Sequence, residues 1–206
     1  MARTKSSASW MSRHLSDPFV KQAQKDGYRS RSAYKLIELN EKDRLIRPGM
    51  RIMDLGAAPG GWSQVAGKLV GRKGRVLATD ILPMDALPNV DFIQGDFTED
   101  AIVQQLLAWL DGGKFDLIIS DIAPNITGIT SADQASSIYF LELALDTVCK
   151  TLKPGASFAA KLFQGAGSDQ YLKELRTHFE KVLIRKPAAS RKESREVYLV
   201  AKGFKQ

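Results

Sequence analysis

Seven short apolar runs alternate with stretches of helical spacing, and no other feature constrains the fold as much. The runs cover 50–55, 75–80, 90–94, 115–120, 156–163, 181–186 and 196–202. Apolar spacing and flanking turn residues predict helices over about 61–70, 98–110, 132–152 and 168–179, with a further helix over 30–45 ahead of the first strand. Continuously apolar strands belong in a sheet whose two faces are both covered. The pattern therefore predicts one three-layer α/β domain, a mostly parallel seven-stranded sheet with helices on both faces. Only "PAASRKES" separates the main body of the last two strands, too short for a parallel crossover. The last strand is expected to run antiparallel. Its first residue, Glu196, then lies at the edge where the parallel strands end, which is also where such sheets bind ligands.

The loop "DLGAAPGGWSQ" (54–64) joins the first strand to its helix. It lacks the Gly-Lys-Ser/Thr ending of a P-loop, and its glycines, Gly56, Gly60 and Gly61, do not follow the dinucleotide spacing. Asp54 at the strand end suits a cationic or hydroxyl-rich ligand better than a pyrophosphate. Asp80 closes the second strand, where an acid accepts hydrogen bonds from ribose hydroxyls. Asp96, in "QGDF" after the third strand, could meet an adenine amino group. Asp54, Gly56, Gly60, Trp62, Asp80 and Asp96 together describe a pocket for an adenosine with a positive, amino-acid-bearing tail. S-adenosylmethionine (S-adenosyl-L-methionine) fits that description.

Charge is unevenly spread. Residues 1–51 carry 12 Lys/Arg against 5 Asp/Glu, residues 181–206 carry 8 against 2, and residues 52–180 carry 10 against 16. Basic segments attract phosphate backbones. In "VKQAQKDGYRSRSAYKL" the cations are mixed with Tyr28 and Tyr34, which could stack on bases. Residues 1–29 are read as a basic RNA-contacting arm and 30–206 as the single catalytic domain. Lys25, Arg29, Arg31, Arg191 and Lys192 are the candidate RNA contacts. No apolar run is long enough for a membrane span, and "MARTKSSASWMSRHLSDPFV" has no signal-peptide core. The lone Cys149 leaves no internal disulfide and fits a reducing cytoplasm. His14 and His178 are isolated, so no metal is expected. Without a coiled-coil seam, a monomer is expected.

The motifs "DLGAAPGGWSQ", "ILPMD", "FIQGDF", "SDIAPN", "AKLFQG" and "SREVYLVA" occur in one order, and with "RSRSAYKL" they resemble the FtsJ-type ribosomal RNA methyltransferases. The resemblance runs from about "RSRSAYKL" to the C-terminus. It implies a Rossmann-like class I S-adenosylmethionine-dependent methyltransferase fold and methylation of a ribose 2′-hydroxyl. For the bacterial members the implied target is a uridine in the A-loop of large-subunit (23S) ribosomal RNA, within the assembled large ribosomal subunit. The family's Lys-Asp-Lys-Glu signature falls on Lys35, Asp121, Lys161 and Glu196. The resemblance also puts Gly60, Trp62, Asp80, Asp96 and Asp121 at the cofactor, and makes Lys161 the proton acceptor.

The chemistry is compatible with these residue types. A ribose hydroxyl is a poor nucleophile, so its oxygen must be aligned and its proton removed as the new bond forms. A lysine serves as base when burial and a second cation favour the neutral amine, whereas nearby carboxylates oppose this. Lys161 lies inside "FAAKLF", and Lys35 supplies a second cation. "SDIAPN" lacks the aromatic residue with which base amino-group methyltransferases stack a flipped base, which favours a hydroxyl acceptor. Three alternatives stand beside this reading: a ribose methyltransferase of transfer RNA or of the messenger cap, a non-catalytic ribosome-assembly factor that binds RNA, and, less compatible with the loop spacing, a dehydrogenase.

Overall fold

The computed structural model describes residues 17–123, 130–191 and 193–205, with the side chains of residues 130 and 131 left out. In chain order the elements are α1 (Pro18–Asp26), α2 (Ala33–Asp43), β1 (Arg51–Leu55), α3 (Gly61–Val70), a 3-10 turn (Gly71–Lys73), β2 (Arg75–Asp80), β3 (Val90–Gln94), α4 (Asp100–Leu110), β4 (Phe115–Ser120), α5 (Thr130–Thr151), β5 (Leu152–Phe163), α6 (Ser168–His178), β6 (Phe179–Arg185) and β7 (Glu196–Phe204). All seven strands join one sheet in the order β3-β2-β1-β4-β5-β7-β6. Strands β3, β2, β1, β4 and β5 pair in parallel, and β7 is antiparallel to both its neighbours. The expected reversal of the last strand is present, with β7 inserted between β5 and β6.

Alternate residues of each central strand serve two cores. On one face Met53, Leu55, Leu77, Ile118, Phe158 and Leu199 pack with Leu106 of α4, Leu145 of α5 and Leu175 of α6. On the other, Ile52, Val76, Leu117, Ile119, Ala159, Tyr198 and Val200 pack with Leu36 and Leu39 of α2 and Trp62 and Val65 of α3. Burial on both faces is the physical reason these strands read as unbroken apolar runs.

Most element ends fall within three residues of expectation, and two features depart further. Strand β5 begins at Leu152, not 156. Lys153-Pro154-Gly155 reads as a turn, but Leu152 already pairs with Phe115 and the register then shifts before Leu117 meets Ser157. Helix α1 lies within the segment read as an arm. Pro18 stands in its first turn, Asp17 caps it by accepting from the Phe19 amide at 3.0 Å, and Gly27 ends it in the left-handed region at φ 72°. Its Val20 and Ala23 are buried.

Register fixes the functional edge. Phe163 at the end of β5 faces Glu196 at the start of β7, and Lys161 faces Tyr198. With a two-residue side-chain period, all four project from the same face of the sheet, the one covered by α2. Among the described residues no helix is long and apolar enough to cross a membrane.

Candidate active site

The glycine-rich loop is held to β2. The amides of Gly56 and Ala57 donate to the Thr79 carbonyl at 2.9 and 3.1 Å. Gly56 has φ 69°, and a Cβ there would lie 2.1 Å from Ile122 Cγ1. Only glycine lets this loop pass so close to the end of β4. Beside it opens a cleft of about 420 Å³, lined in part by Gly56, Ala58, Asp80, Asp96, Asp121 and Phe140. Its wall includes Ile81 and Leu82, which at 67% and 59% are the most exposed large apolar side chains among the described residues.

The three strand-end acids differ in their surroundings. Asp80 accepts from the amides of Ala58 (2.9 Å) and Leu82 (2.8 Å), one on each oxygen, so it joins the two loops that form the cleft. Asp96 accepts from the Thr98 amide at 2.9 Å. Asp54 is buried. One oxygen accepts from Ser63 Oγ at 2.6 Å, and Oδ1 is buried with no hydrogen-bond partner. Burial pushes its carboxyl up to about 7, against the pull of the Ser63 hydrogen bond and with help from the charges of Asp121 and Asp80. Asp54 also borders a small cavity of about 30 Å³, together with Ser32, Gly56, Trp62 and Asp121. Trp62 itself is buried, donates from Nε1 to the Ser32 carbonyl at 2.9 Å, and stands with its ring 5.6 Å from that of Tyr198.

Lys35, Asp121, Lys161 and Glu196, dispersed over 162 residues of sequence, meet at this edge. Lys161 Nζ lies 3.1 Å from Asp121 Oδ1 and donates to the Asp121 carbonyl at 2.7 Å. Lys35 Nζ lies 2.7 Å from Glu196 Oε1. Between the two pairs stands Tyr198, fully buried. Its hydroxyl donates to Asp121 Oδ1 at 2.6 Å, receives a hydrogen bond from Lys35 Nζ at 2.9 Å, and lies 3.3 Å from Glu196 Oε1. Ser190 Oγ adds a further donor to Glu196 at 2.9 Å. Burial by itself would raise the Asp121 carboxyl. The charges of Lys161 and Lys35 and the Tyr198 hydroxyl outweigh it and hold Asp121 below the usual carboxylate range. Glu196 behaves alike: burial raises it, and Lys35 chiefly brings it below its ordinary value. Both carboxylates are therefore ionised at neutral pH, each beside its own lysine.

A model of the FtsJ-like methyltransferases matches residues 28–204, which include all four of these residues. The chain belongs to this family. It is 70% identical over 205 residues to the ribosomal RNA large subunit methyltransferase E of Stutzerimonas stutzeri, with 100% of each chain covered. It is 63% identical to the protein of that name from Marinobacter nauticus, covering 100% of this chain and 99% of the other. Among solved structures, a ribosomal RNA methyltransferase from Plasmodium falciparum superposes with a TM-score of 0.78 at 31% identity, covering 86% of this chain and 98% of that one. The FtsJ-like fold thus matches the observed sheet and its antiparallel β7, and membership of a methyltransferase family implies a methyl donor.

The basic candidates occupy different settings. Lys25 is exposed on α1. Arg31 pairs with Asp17 at 3.2 Å and donates to the Ala189 carbonyl, and Arg191 lies 3.8 Å from the same Asp17. Arg29 directs its guanidinium at three backbone carbonyls. Lys192 lies outside the described residues, as do His14 and the Pro124-Asn125 part of "SDIAPN". Among the described residues no group of three or more His, Cys, Asp or Glu is arranged to hold a metal ion. Tyr198 and Ser63 are the residues that sequence reasoning missed. The signal for Tyr198 was available: it stands two residues after Glu196 on a strand, hence on the same face.

Proposed function

We propose that this FtsJ-like methyltransferase methylates the 2′-hydroxyl of a uridine in large-subunit ribosomal RNA, the A-loop of the assembled subunit being the favoured target, with S-adenosylmethionine as donor. The observation that carries this reading is the pair of lysine–carboxylate contacts joined through one buried phenol beside the cleft. The relatives named for large-subunit ribosomal RNA support the substrate class. Such a substrate implies a cytoplasmic enzyme, and a monomer suffices for the site.

The residues present fit the cofactor. Asp80 and Asp96 are the proposed acceptors for its ribose and adenine, Ile81 and Leu82 offer apolar cover, and the glycine loop leaves space for close approach. The unpartnered Oδ1 of Asp54 suits the cationic end of the molecule. When bound, S-adenosylmethionine supplies a methyl group made electrophilic by its sulfonium centre.

The chain itself must orient the ribose and take up the 2′-hydroxyl proton. Lys161 is the proposed acceptor. Its amino group is held by the Asp121 carbonyl and carboxylate, and once it has given up one proton two N–H bonds remain for these acceptors and a lone pair for the proton of the 2′-hydroxyl. Lys35 and Glu196 are proposed to fix the far side of the site and balance the charge as that proton arrives. Residues 1–29 apart from Arg29, and the basic segment before β7, with Lys25, Arg31, Arg191 and Lys192, are the proposed RNA contacts.

The test is transfer of labelled methyl from S-adenosylmethionine to undermethylated large subunits, run beside transfer RNA and capped RNA. Label confined to large subunits supports the reading. Label on transfer or capped RNA instead keeps the chemistry and overturns the substrate. No transfer to any RNA, with cofactor bound, favours a non-catalytic assembly factor.

A further inference from the structure

Arg29 lies in the basic stretch expected to meet RNA, yet its guanidinium is engaged by the protein's own backbone. Nη1 donates to the carbonyls of Pro59 (3.3 Å) and Asp85 (2.7 Å), and Nη2 to that of Ala86 (2.8 Å). Pro59 belongs to the glycine-rich loop, whereas Asp85 and Ala86 belong to the loop between β2 and β3. The guanidinium therefore fastens together the two loops that bring Ala58, Ile81 and Leu82 to the cleft lining. Its backbone is fixed as well. The Arg29 amide donates to Gln64 Oε1 at 3.0 Å, and Gln64 Nε2 donates to the Gly27 carbonyl at 2.8 Å, which clips residues 27–29 to α3.

The fit around the guanidinium is close. Gly60 has φ 103°, and a Cβ there would lie 2.9 Å from both Arg29 Nη1 and Met84 Sδ. The loop between β2 and β3 has almost no sheet pairing of its own: its one bridge joins Leu87 to Val90. Carbonyls in such a loop otherwise bond to water, which imposes no single arrangement. A planar fork with fixed N–H directions does impose one, and an ammonium group does not. Three acceptors also occupy three of the five N–H bonds of the guanidinium, both of those on Nη1 among them.

We propose that Arg29 is a positioning residue that sets the shape of the cofactor cleft by tying its two loops together, and that it is not an RNA contact. The proposal rests on the reading that this cleft holds S-adenosylmethionine, and its test separates the two. Full-length wild type, Arg29→Lys and Arg29→Ala are compared by amide hydrogen exchange without cofactor, by calorimetric titration with S-adenosylmethionine, and by binding to a large-subunit RNA fragment across a salt series. Exchange in β5 and β7 reports whether each variant is folded. Where Arg29→Ala fails that control, Arg29→Lys carries the test.

In both variants exchange is expected to accelerate over residues 56–61 and 81–89 and cofactor affinity to fall roughly tenfold or more, since several charge-assisted hydrogen bonds are broken or rearranged. Arg29→Lys is expected to keep wild-type RNA affinity and salt dependence. The proposal is overturned when Arg29→Lys matches wild type in exchange and cofactor affinity while Arg29→Ala loses RNA affinity. Should wild type itself fail to bind S-adenosylmethionine, the cofactor reading falls. The exchange data then decide alone: acceleration over both loops upholds the tether, and unchanged rates refute it.

Discussion

The Tyr198 hydroxyl donates to Asp121 Oδ1 at 2.6 Å, joining the start of β7 to the end of β4. Burial, followed by the charges of Asp121 and Glu196, raises this phenol well above its ordinary value, so it stays protonated and remains a donor. Lys35 in turn donates to it at 2.9 Å. Tyr198 thus connects the two lysine–carboxylate pairs without adding a charge.

Tyr198→Phe keeps the ring and removes the connection. Asp121 loses a donor and Lys35 an acceptor, both in a buried setting. The expected result is a loss of about 1–3 kcal/mol in stability and a fall in methyl transfer of about tenfold or more, with cofactor affinity near wild type. Chemical denaturation and single-turnover assays check the two parts separately.

Lys161→Ala removes the proposed proton acceptor and leaves the cleft lining intact. Methyl transfer is expected to fall about 10²–10⁴-fold, and S-adenosylmethionine is expected to bind with unchanged affinity. A matching loss of cofactor affinity in calorimetry would contradict the role given to Lys161.

Asp54 gives a pH signature. Its carboxyl is raised to about 7 by burial. Between the ordinary carboxylate range and about 7, the folded protein holds a proton at this site that the unfolded chain has released. Its contribution to stability therefore declines as pH rises through that window and levels off above it. Asp54→Asn keeps the shape and has nothing to titrate. The stability difference between variant and wild type is expected to move in favour of the variant from pH 5 to pH 8. Equal pH profiles from denaturant melts would contradict the buried, unpartnered carboxyl.

RNA binding is expected to depend on the basic surface. Reversing Lys25 or Arg191 to Glu should weaken binding to large-subunit RNA similarly for all sequences. The steepness of its salt dependence should fall by about one unit for each phosphate no longer neutralised. Filter binding across a salt series measures this. An unchanged slope in both variants would place the RNA elsewhere.

Much of the molecule was legible in the sequence because its determinants are local or periodic. Strands buried on both faces read as apolar runs, and the short link before β7 implied its reversal. Lys35, Asp121, Lys161 and Glu196 were named through family motifs, and register explains how β5 and β7 bring two of them together. Tyr198 was less visible, because "EVYLVA" also reads as ordinary core, and its place two residues after Glu196 gives the face but not the partners of its hydroxyl. Arg29 was read as a charge. Its acceptors are backbone carbonyls 30, 56 and 57 residues away, and backbone carbonyls leave no trace in composition or spacing. The start of β5 was obscured by Pro154 and Gly155, which ordinarily end strands.

Alkaline hydrolysis of labelled RNA tests most directly whether the acceptor is a ribose oxygen. Alkali cleaves RNA through the free 2′-hydroxyl, so a 2′-O-methylated linkage survives. After methylation of large subunits with labelled S-adenosylmethionine, the label is expected in alkali-stable dinucleotides that contain 2′-O-methyluridine. Label released in mononucleotides would mean methylation of a base and would contradict the mechanism assigned to Lys161 and its neighbours.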